Sequence, residues 1–435
     1  MSLRRAVITG VGAVSPFGVG TKTFWDHIVR GDSATRLIDD FDTSAMPVKF
    51  GAPVPLSEAD LEQRLGCSKA TKIMSRATKF IMLAAEEAVR DAGLDASRVD
   101  PYRFGTSLGV GGLGLHDLDH ATRLMDVTWE AIDKNEMKLD YGAVWKRTIE
   151  RINPLTPLKA LPNMAAAHLA ITYNARGHCQ SIATACTSGT QAVGEAYRLI
   201  KSDVCDVVLA GGGDAALCPD GILAFSALGV LSRNNAEFRT AARPFDRRRD
   251  GFMIGEGACV FVVEEMERAR MRRAALRCEI KGFSNTNDAF RVTDEPPEAW
   301  GSIEAMKLAL ADARVNPADV DYVNAHGTGT RLNDKTETLA LKTVFGKDAY
   351  SLPVSSTKSM IGHLVAAAGA AECAACVLAM DHQVIPPTIN LEEADPECDL
   401  DYVSGGARES RLELVLSNSF GFGGQNACVV LSKVP

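Results

Sequence analysis

Ala88-Val-Arg-Asp91-Ala-Gly-Leu94, followed by Val99-Asp100, is written a second time 221 residues later. The second copy reads Ala309-Leu-Ala-Asp312-Ala-Arg-Val315, followed by Val320-Asp321. In each copy the pattern predicts a helix that runs into a turn, then a short strand, then a loop rich in Gly, Thr and Ser. Those loops are Gly105 to Gly114 and Gly327 to Thr330. A second echo is strand, sharp turn, helix. Ser181-Ile-Ala-Thr-Ala-Cys186-Thr-Ser-Gly189 leads into Gln191 to Ile200, and Val354-Ser-Ser-Thr-Lys358-Ser-Met-Ile-Gly-His363 leads into Leu364 to Ala379. Continuous apolar runs such as Asp206-Val-Val-Leu-Ala-Gly and Leu414-Val-Leu-Ser predict buried strands covered by helices on both faces. The reading is α/β: two similar halves, 1–268 and 275–435, each with its own mixed sheet, related by a pseudo-two-fold axis. A charged helix ending at Arg277 and a fresh strand from Cys278 mark the boundary. A site is expected where loops of the two halves meet.

The 435 residues suffice for a large core, and 46% hydrophobic with 23% charged residues is ordinary globular composition. A net charge of −8 argues against nucleic acid, whose phosphates need a broad basic surface. The strand-like Ala6-Val-Ile-Thr9 begins almost at once, so no apolar leader or membrane span is expected there. Eleven irregularly spaced cysteines suit reduced thiols and a cytoplasmic location. Cys373-Ala-Ala-Cys376 sits in an Ala-rich helical run and reads as helix packing rather than a metal or redox pair.

Cys186 falls at a strand-to-helix turn between small residues. A helix N-terminus stabilises a thiolate, and a thiolate suits acyl transfer because thioester exchange is nearly balanced. A buried inert cysteine is the competing reading. Asn324-Ala-His326-Gly-Thr328-Gly-Thr330 places one histidine at a strand end, and Ser356-Thr-Lys358-Ser-Met-Ile-Gly-His363 places another before a helix. Neutral imidazoles donating N–H to one carbonyl oxygen would stabilise an enolate as carbon dioxide leaves. Asn418-Ser-Phe420-Gly-Phe422-Gly-Gly424 could lend main-chain N–H groups to an oxyanion hole, with Phe422 as a gate.

These four ordered motifs closely resemble the β-ketoacyl-acyl carrier protein synthases, the elongating branch with a Cys-His-His site and a thiolase-like fold of duplicated α/β halves packed in layers. The resemblance runs from Ala6 to Ala427. It implies that Cys186 accepts an acyl group from the phosphopantetheine of an acyl carrier protein, the arm being the carrier's and no cofactor being required of this chain. It implies that His326 and His363 hold the malonyl carbonyl, and that Thr328 and Thr330 bind the arm. It implies also that Lys358 orients the site, paired with Glu372, and that the N–H groups of Cys186 and Phe422 form the oxyanion hole. Asn324, Glu372, Ser417 and Asn418 match a structural monovalent-cation site, and Val110 the gate of the acyl pocket. The partners implied are the acyl carrier protein and a second subunit, identical or resembling a chain-length factor. The strand at Gln180 to Ala183 would pair across the two-fold axis.

The implied activity is condensation in fatty-acid elongation, with a type II polyketide or polyene system as the alternative. Three departures from the fatty-acid members make the alternative a serious one: a charged, helix-rich stretch at about 116–152, longer than usual; Thr156 in place of an aromatic at the tunnel's end; and Gly229 in place of an arginine facing the carrier. Other readings are a reductase, on the GxGxxG of Gly109 to Gly114, a non-catalytic partner subunit and a thiolase. His116 and His120 have metal-ligand spacing without a third ligand. Lys69, Lys72, Arg76 and Lys79 would line one helical face for carrier docking, with Arg247-Arg-Arg249 a second candidate.

Overall fold

In the structure, a computed structural model describing residues 4–111, 118–151 and 153–434, ten strands carry the duplication. The first five are β1 (Ala6–Ser15), β2 (Phe104–Val110), β3 (Cys179–Ile182), β4 (Val207–Asp214) and β5 (Gly257–Glu265). The second five are β6 (Cys278–Asn287), β7 (Tyr322–Asn324), β8 (Val354–Ser355), β9 (Leu414–Gly421) and β10 (Gln425–Ser432). Their orders, β3-β2-β4-β5-β1 and β8-β7-β9-β10-β6, are the same topology with the same mixture of parallel and antiparallel pairs. The two sets do not form separate sheets as expected. Ala6–Ile8 pairs antiparallel with Cys278–Ile280 and joins them into one.

The repeated sequence does the same mechanical work in each half. Helix α1 (Arg76–Asp91) covers β1, and helix α5 (Trp300–Ala313) covers β6. A register shift between Ile8 and Gly10 in β1 recurs between Ile280 and Gly282 in β6. At each shift the helix comes too close for a side chain. A Cβ at Gly10 would lie 2.1 Å from the Ala88 carbonyl oxygen, and one at Gly282 2.4 Å from that of Ala309. The repeated aspartates then accept the N–H of the next strand residue, Asp91 from Val11 at 2.9 Å and Asp312 from Phe283 at 3.1 Å. Conservation of the pattern within the chain thus has a packing cause: glycine for approach, alanine for contact, aspartate for the N–H freed by the bulge.

The strands lie between these outer helices, α1 and α5, and a central layer of two helices, α4 (Ser188–Lys201) and α7 (Ala368–His382). Cys373 and Cys376 are buried in α7, as packing residues. Among the described residues, Val365–His382 is the one helical run long and apolar enough to cross a membrane, and 83% of it is buried inside the fold. The two central helices touch at Gly189 and Gly369. A Cβ at Gly189 would meet the Ala370 nitrogen at 2.7 Å, and one at Gly369 the Thr190 Oγ1 at 1.9 Å.

The stretch around 116–152 is helix-rich as expected. It holds α2 (Leu118–Glu130), a hairpin of Ile132–Asp133 with Lys138–Leu139, and α3 (Tyr141–Arg151). Gly112 to Gly114 and His116 lie outside the described residues, as does the His120 side chain.

In an open helix interior, glycine to alanine stabilises by about 1 kcal/mol. At Gly189 the sign reverses, because the added methyl meets backbone. We expect Gly189→Ala to destabilise by about 1–3 kcal/mol, read as a lower urea midpoint at unchanged slope.

Candidate active site

Cys186 sits where β3 gives way to α4. Ala185 takes a left-handed φ of 49°, Ala185–Thr187 forms a single 3₁₀ turn, and α4 starts at Ser188. The turn is tied by the Ser188 hydroxyl, which accepts the Thr184 N–H at 2.8 Å and donates to the Ala185 carbonyl at 2.7 Å. The second half repeats this turn: Val365 has φ 48°, Val365–Ala367 is 3₁₀, and α7 starts at Ala368. By local geometry the counterpart of Cys186 is therefore Ala366, and His363 stands just before the turn. A non-glycine residue held at positive φ is strained, and here the strain lifts the nucleophile's side chain out of the helix it precedes.

The contact between Gly189 and Gly369 brings these two turns together. The Cys186 Sγ lies 3.0 Å from His363 Nε2. Sγ and one nitrogen of each of His326 and His363 lie within 4.8 Å of one another. Both imidazoles are held in one tautomer. The Val365 N–H donates to His363 Nδ1 at 3.2 Å, and Lys358 Nζ, which can only donate, lies 3.2 Å from His326 Nδ1. Each Nδ1 being an acceptor, the ring proton of each neutral imidazole is on Nε2. Burial, and then the positive charge of Lys358, hold both well below the ordinary histidine range. They are neutral N–H donors at physiological pH.

Lys358 itself is 3% exposed. It also donates to the His326 carbonyl at 2.6 Å and forms a buried ion pair with Glu372, the partner expected from the sequence. Burial pushes the Glu372 carboxyl up to about 7, against the pull of Lys358. Two carboxylates that sequence reasoning missed hold the loop after β7. Glu337 accepts the N–H groups of His326 (2.9 Å) and Gly327 (2.7 Å), and Asp334 that of Gly329 (3.1 Å). Both lie on helix α6 (Arg331–Phe345), where their spacing of three residues, one helical turn, was the available signal.

One expectation fails. Burial pushes the Cys186 thiol up, to about 12, and outweighs the opposing effects of Lys358 and the Phe422 N–H, which reaches the sulfur. The helix N-terminus alone does not produce a resting thiolate.

A cavity of about 160 Å³ is lined by Cys186, His326, His363, Thr328, Thr330 and Phe422, so the structure brings six predicted residues into one space. The Thr328 and Thr330 hydroxyls lie 3.0 Å apart. Val110 lines a separate small cavity of about 50 Å³ beside Gly111 and Asp214. Thr156 is buried but does not line that cavity, to which its segment contributes Lys159, Ala160, Leu161 and Pro162. Asn324 and Ser417 are paired across β7 and β9; the Asn324 Oδ1 is buried with no partner among the described residues, while the Ser417 hydroxyl meets the Cys373 and Cys376 thiols. Glu372 is engaged by Lys358 and Ser419, and Asn418 by Glu337 and Cys428. Among the described residues, one of the four suggested cation ligands, Asn324, therefore has a free oxygen.

The basic set does not share a helical face. Thr71–Ile73 is a 3₁₀ turn and α1 begins only at Arg76. Lys69 and Lys72 are exposed. Lys79 is buried against Glu58 (2.6 Å) and Glu62 (3.1 Å), and Arg76 is paired with Glu58 and Glu256. Of the second cluster, Arg249 is buried against Asp395, while Arg247 and Arg248 remain exposed.

A buried thiol facing two imidazole donors in a narrow cavity is equipped to hold an acyl group and stabilise an enolate beside it. That chemistry belongs to the Claisen-condensing acyltransferases. The comparisons with known proteins agree. Residues 3–269 match the N-terminal domain of the beta-ketoacyl synthases and residues 277–392 the C-terminal domain, so the chain belongs to the β-ketoacyl synthase family. It is 41% identical to the 3-oxoacyl-[acyl-carrier-protein] synthase 2 of Coxiella burnetii, covering 100% of both chains. It is 40% identical to the tetracenomycin polyketide synthase ketoacyl synthase alpha subunit of Streptomyces glaucescens, covering 99% of this chain and 97% of that one. Among solved structures, a type II polyketide acyl-carrier protein in complex with its ketosynthase, bound to the hexaketide, superposes with a TM-score of 0.86 at 31% identity. The ishigamide ketosynthase/chain length factor does so at 0.85, also at 31%. Both cover 100% of each chain.

Removing one member of a buried ion pair costs about 3–5 kcal/mol, whereas replacing both is nearly neutral. Lys358→Met should therefore lower thermal stability sharply. Lys358→Met with Glu372→Leu should recover most of it, yet stay inactive because His326 has lost its orienting donor. Calorimetry with a condensation assay checks both.

Proposed function

We propose that this chain condenses an acyl thioester with malonyl-acyl carrier protein to give 3-oxoacyl-acyl carrier protein and carbon dioxide. The carrying observation is that two neutral imidazoles, each fixed as an Nε2–H donor, share one cavity with a cysteine thiol. In the first step the Cys186 sulfur attacks the carrier thioester, its proton ends on the carrier thiol, and the chain becomes a Cys186 thioester. The balance is thiol for thiol, so a resting thiol pKa of about 12 is no obstacle. In the second step His326 and His363 donate to the malonyl carbonyl oxygen as carbon dioxide leaves. The resulting enolate carbon attacks the Cys186 thioester. The main-chain N–H groups of Cys186 and Phe422 hold the oxyanion, and the intermediate collapses to release the sulfur, which takes up one proton. Phe225 and Phe252 line the same cavity, and among the described residues no lysine or arginine does. A malonyl carboxylate there has no counter-charge, which favours its loss as neutral carbon dioxide.

Thr328 and Thr330 would bind the phosphopantetheine arm, which belongs to the carrier, and no other cofactor is needed. A structural monovalent cation would sit at Asn324 and Ser417, near Asn418 and Glu372. It would supply positive charge beside the buried carboxyls of Glu372 and Glu337, both pushed up to about 7 by burial. A cytoplasmic location fits eleven free thiols. Fatty-acid elongation is the primary reading, and a type II polyketide or polyene system the second, since relatives of both kinds match along the whole chain.

The working unit is a dimer, of two copies or with a chain-length-factor-like subunit. Two observations support this. Strand β3 is the last of its sheet, and no strand among the described residues pairs with its outer edge. Tyr141, Trp145 and Ile149 form one stripe along α3 and are 67%, 65% and 84% exposed, more apolar area than a lone surface helix usually shows.

Intact-protein mass spectrometry should show one acyl group, mapped to the Cys186 peptide and absent in Cys186→Ala. His326→Ala and His363→Ala should keep this acylation while losing malonyl decarboxylation by about a hundredfold or more per lost donor. Complete loss of acylation in both would instead make the histidines activators of the thiol. Because both imidazoles are already neutral well above their lowered pKa values, activity should show no acid limb near pH 6.5.

The dimer has its own test. Trp145→Glu with Ile149→Glu should shift the sedimenting species to monomer at micromolar concentration, and an unchanged dimer would place the contact elsewhere.

A further inference from the structure

The duplication extends to the groups that surround each strand-to-helix turn. Strands β4 and β9 occupy equivalent places and each has 8 residues, so Asp214 and Gly421 are equivalent last residues. The register agrees. Asp214 pairs with Gly257, the first residue of β5, and Gly421 with Gln425, the first of β10. Each of these strands packs against the turn of the opposite half. A Cβ at Gly421 would lie 3.2 Å from the Cys186 nitrogen. At the other turn, Asp214 Oδ2 accepts the Ala366 N–H at 3.0 Å.

The oxyanion hole of the proposed reaction consists of the N–H groups of Cys186 and of Phe422, the residue after Gly421. Their equivalents are the N–H groups of Ala366 and of Ala215, the residue after Asp214. Both are given to one side chain. Asp214 Oδ1 accepts the Ala215 N–H at 2.8 Å, and Oδ2 that of Ala366. Asp214 is 1% exposed. Glycine in the first half has no side chain to enter the hole, whereas the second half has a carboxylate whose two oxygens match its two donors. We infer that the chain carries a second oxyanion hole occupied by its own carboxylate, and that Asp214, by filling it, is the positioning residue that holds His363 as an Nε2–H donor.

The link from Asp214 to His363 is short. Ala366 is the middle residue of the Val365–Ala367 turn, and the N–H just before it, that of Val365, sets the tautomer by donating to His363 Nδ1 at 3.2 Å. Val365 holds φ at 48°, a conformation that a β-branched residue resists. Such a turn persists only where its surroundings over-determine it. The first turn is tied by the Ser188 hydroxyl, which bonds both Thr184 and Ala185. The equivalent residue of the second turn is Ala368, which has no hydroxyl. Asp214 supplies the missing tie from outside, through a charge-assisted hydrogen bond to the N–H next to Val365.

The use made of the His363 donor rests on the condensation reading, and the test separates the two. In protein labelled with ¹⁵N-histidine, wild type should show His363 as a single Nε2–H tautomer, its signals identified by their loss in His363→Ala. Asp214→Ala should show a mixture of tautomers and malonyl decarboxylation slowed about tenfold, the worth of one orienting hydrogen bond. Acylation of Cys186, whose turn faces Gly421, should be retained. The deleted carboxylate has the shape of formate and lies beside the small cavity that Asp214 lines with Val110 and Gly111. Added formate should therefore restore both the single tautomer and the rate. Formamide, which has one acceptor oxygen for two N–H groups, should not. Asp214→Asn keeps the shape but turns an NH₂ group toward one of the two donors. It should give the mixed tautomer with no response to formate, because the hole stays filled, and it carries the test if the alanine variant does not fold. A single Nε2–H tautomer in the variants would overturn the inference. So would loss of acylation and decarboxylation together, unmoved by formate, which is the mark of a merely structural role. Failure of wild type to decarboxylate a malonyl thioester would overturn the condensation reading, and the tautomer would still decide whether Asp214 sets it.

Discussion

The bare contact between α4 and α7 at Gly189 and Gly369 is the constraint on which the site depends. Each glycine sits one residue into a helix that starts from a strained strand-to-helix turn, and each lacks the Cβ that would hold the helices apart. Because interiors are packed to crystal-like density, a separation of even one methyl width would propagate to the turns. Cys186 comes from one turn and His363 from just before the other, and their 3.0 Å contact is a consequence of that crossing. Much of the remaining architecture secures it. The outer helices are clamped at Gly10 and Gly282, and the strands between are nearly all buried.

Electrostatics then decides what the assembled groups can do. Burial pushes the thiol up and the imidazoles down, so the groups at the centre of the site carry no charge at rest. Lys358 is the exception, balanced by Glu372. Its position sets the tautomer of His326 and its charge resists protonation of both rings, so one buried cation keeps two neutral donors in register. A buried pair of this kind contributes little net stability by itself. Its value here is orientation, which is why the stability and the activity of the double replacement should part company.

What could be read in the sequence was the part written in local pattern. The 221-residue repeat announced the duplicated α/β halves because the same helix, bulge and aspartate recur with the same contacts. Cys186, His326, Lys358, His363 and Phe422 were legible because each lies in a glycine-flanked or small-residue turn at a strand end. The joining of the two sheets through Ala6–Ile8 was not legible, since pairing partners far apart in sequence leave no periodic trace. The basic run from Lys69 failed for a related reason. Spacings of three and four imply one face only if the helix is continuous, and here it begins at Arg76. Glu337 and Asp334 were overlooked because buried carboxylates that hold backbone N–H groups look, in sequence, like any charged helix face.

The duplicated turn shows how one scaffold came to hold two different chemistries. Ala185 and Val365 share the same left-handed φ, and the 3₁₀ turns after them are superimposable in kind, yet the first presents Cys186 and the second Ala366. A second thiol at Ala366 would compete for the same imidazole and the same substrate carbonyl. With alanine there, the second turn is freed for a supporting role. The Ala366 N–H is given to Asp214 at 3.0 Å, and the Val365 N–H to His363 Nδ1. The strained turn that exposes a nucleophile in one half therefore sets a proton's position in the other. That division of labour requires both halves to keep the same backbone while only one keeps the sulfur.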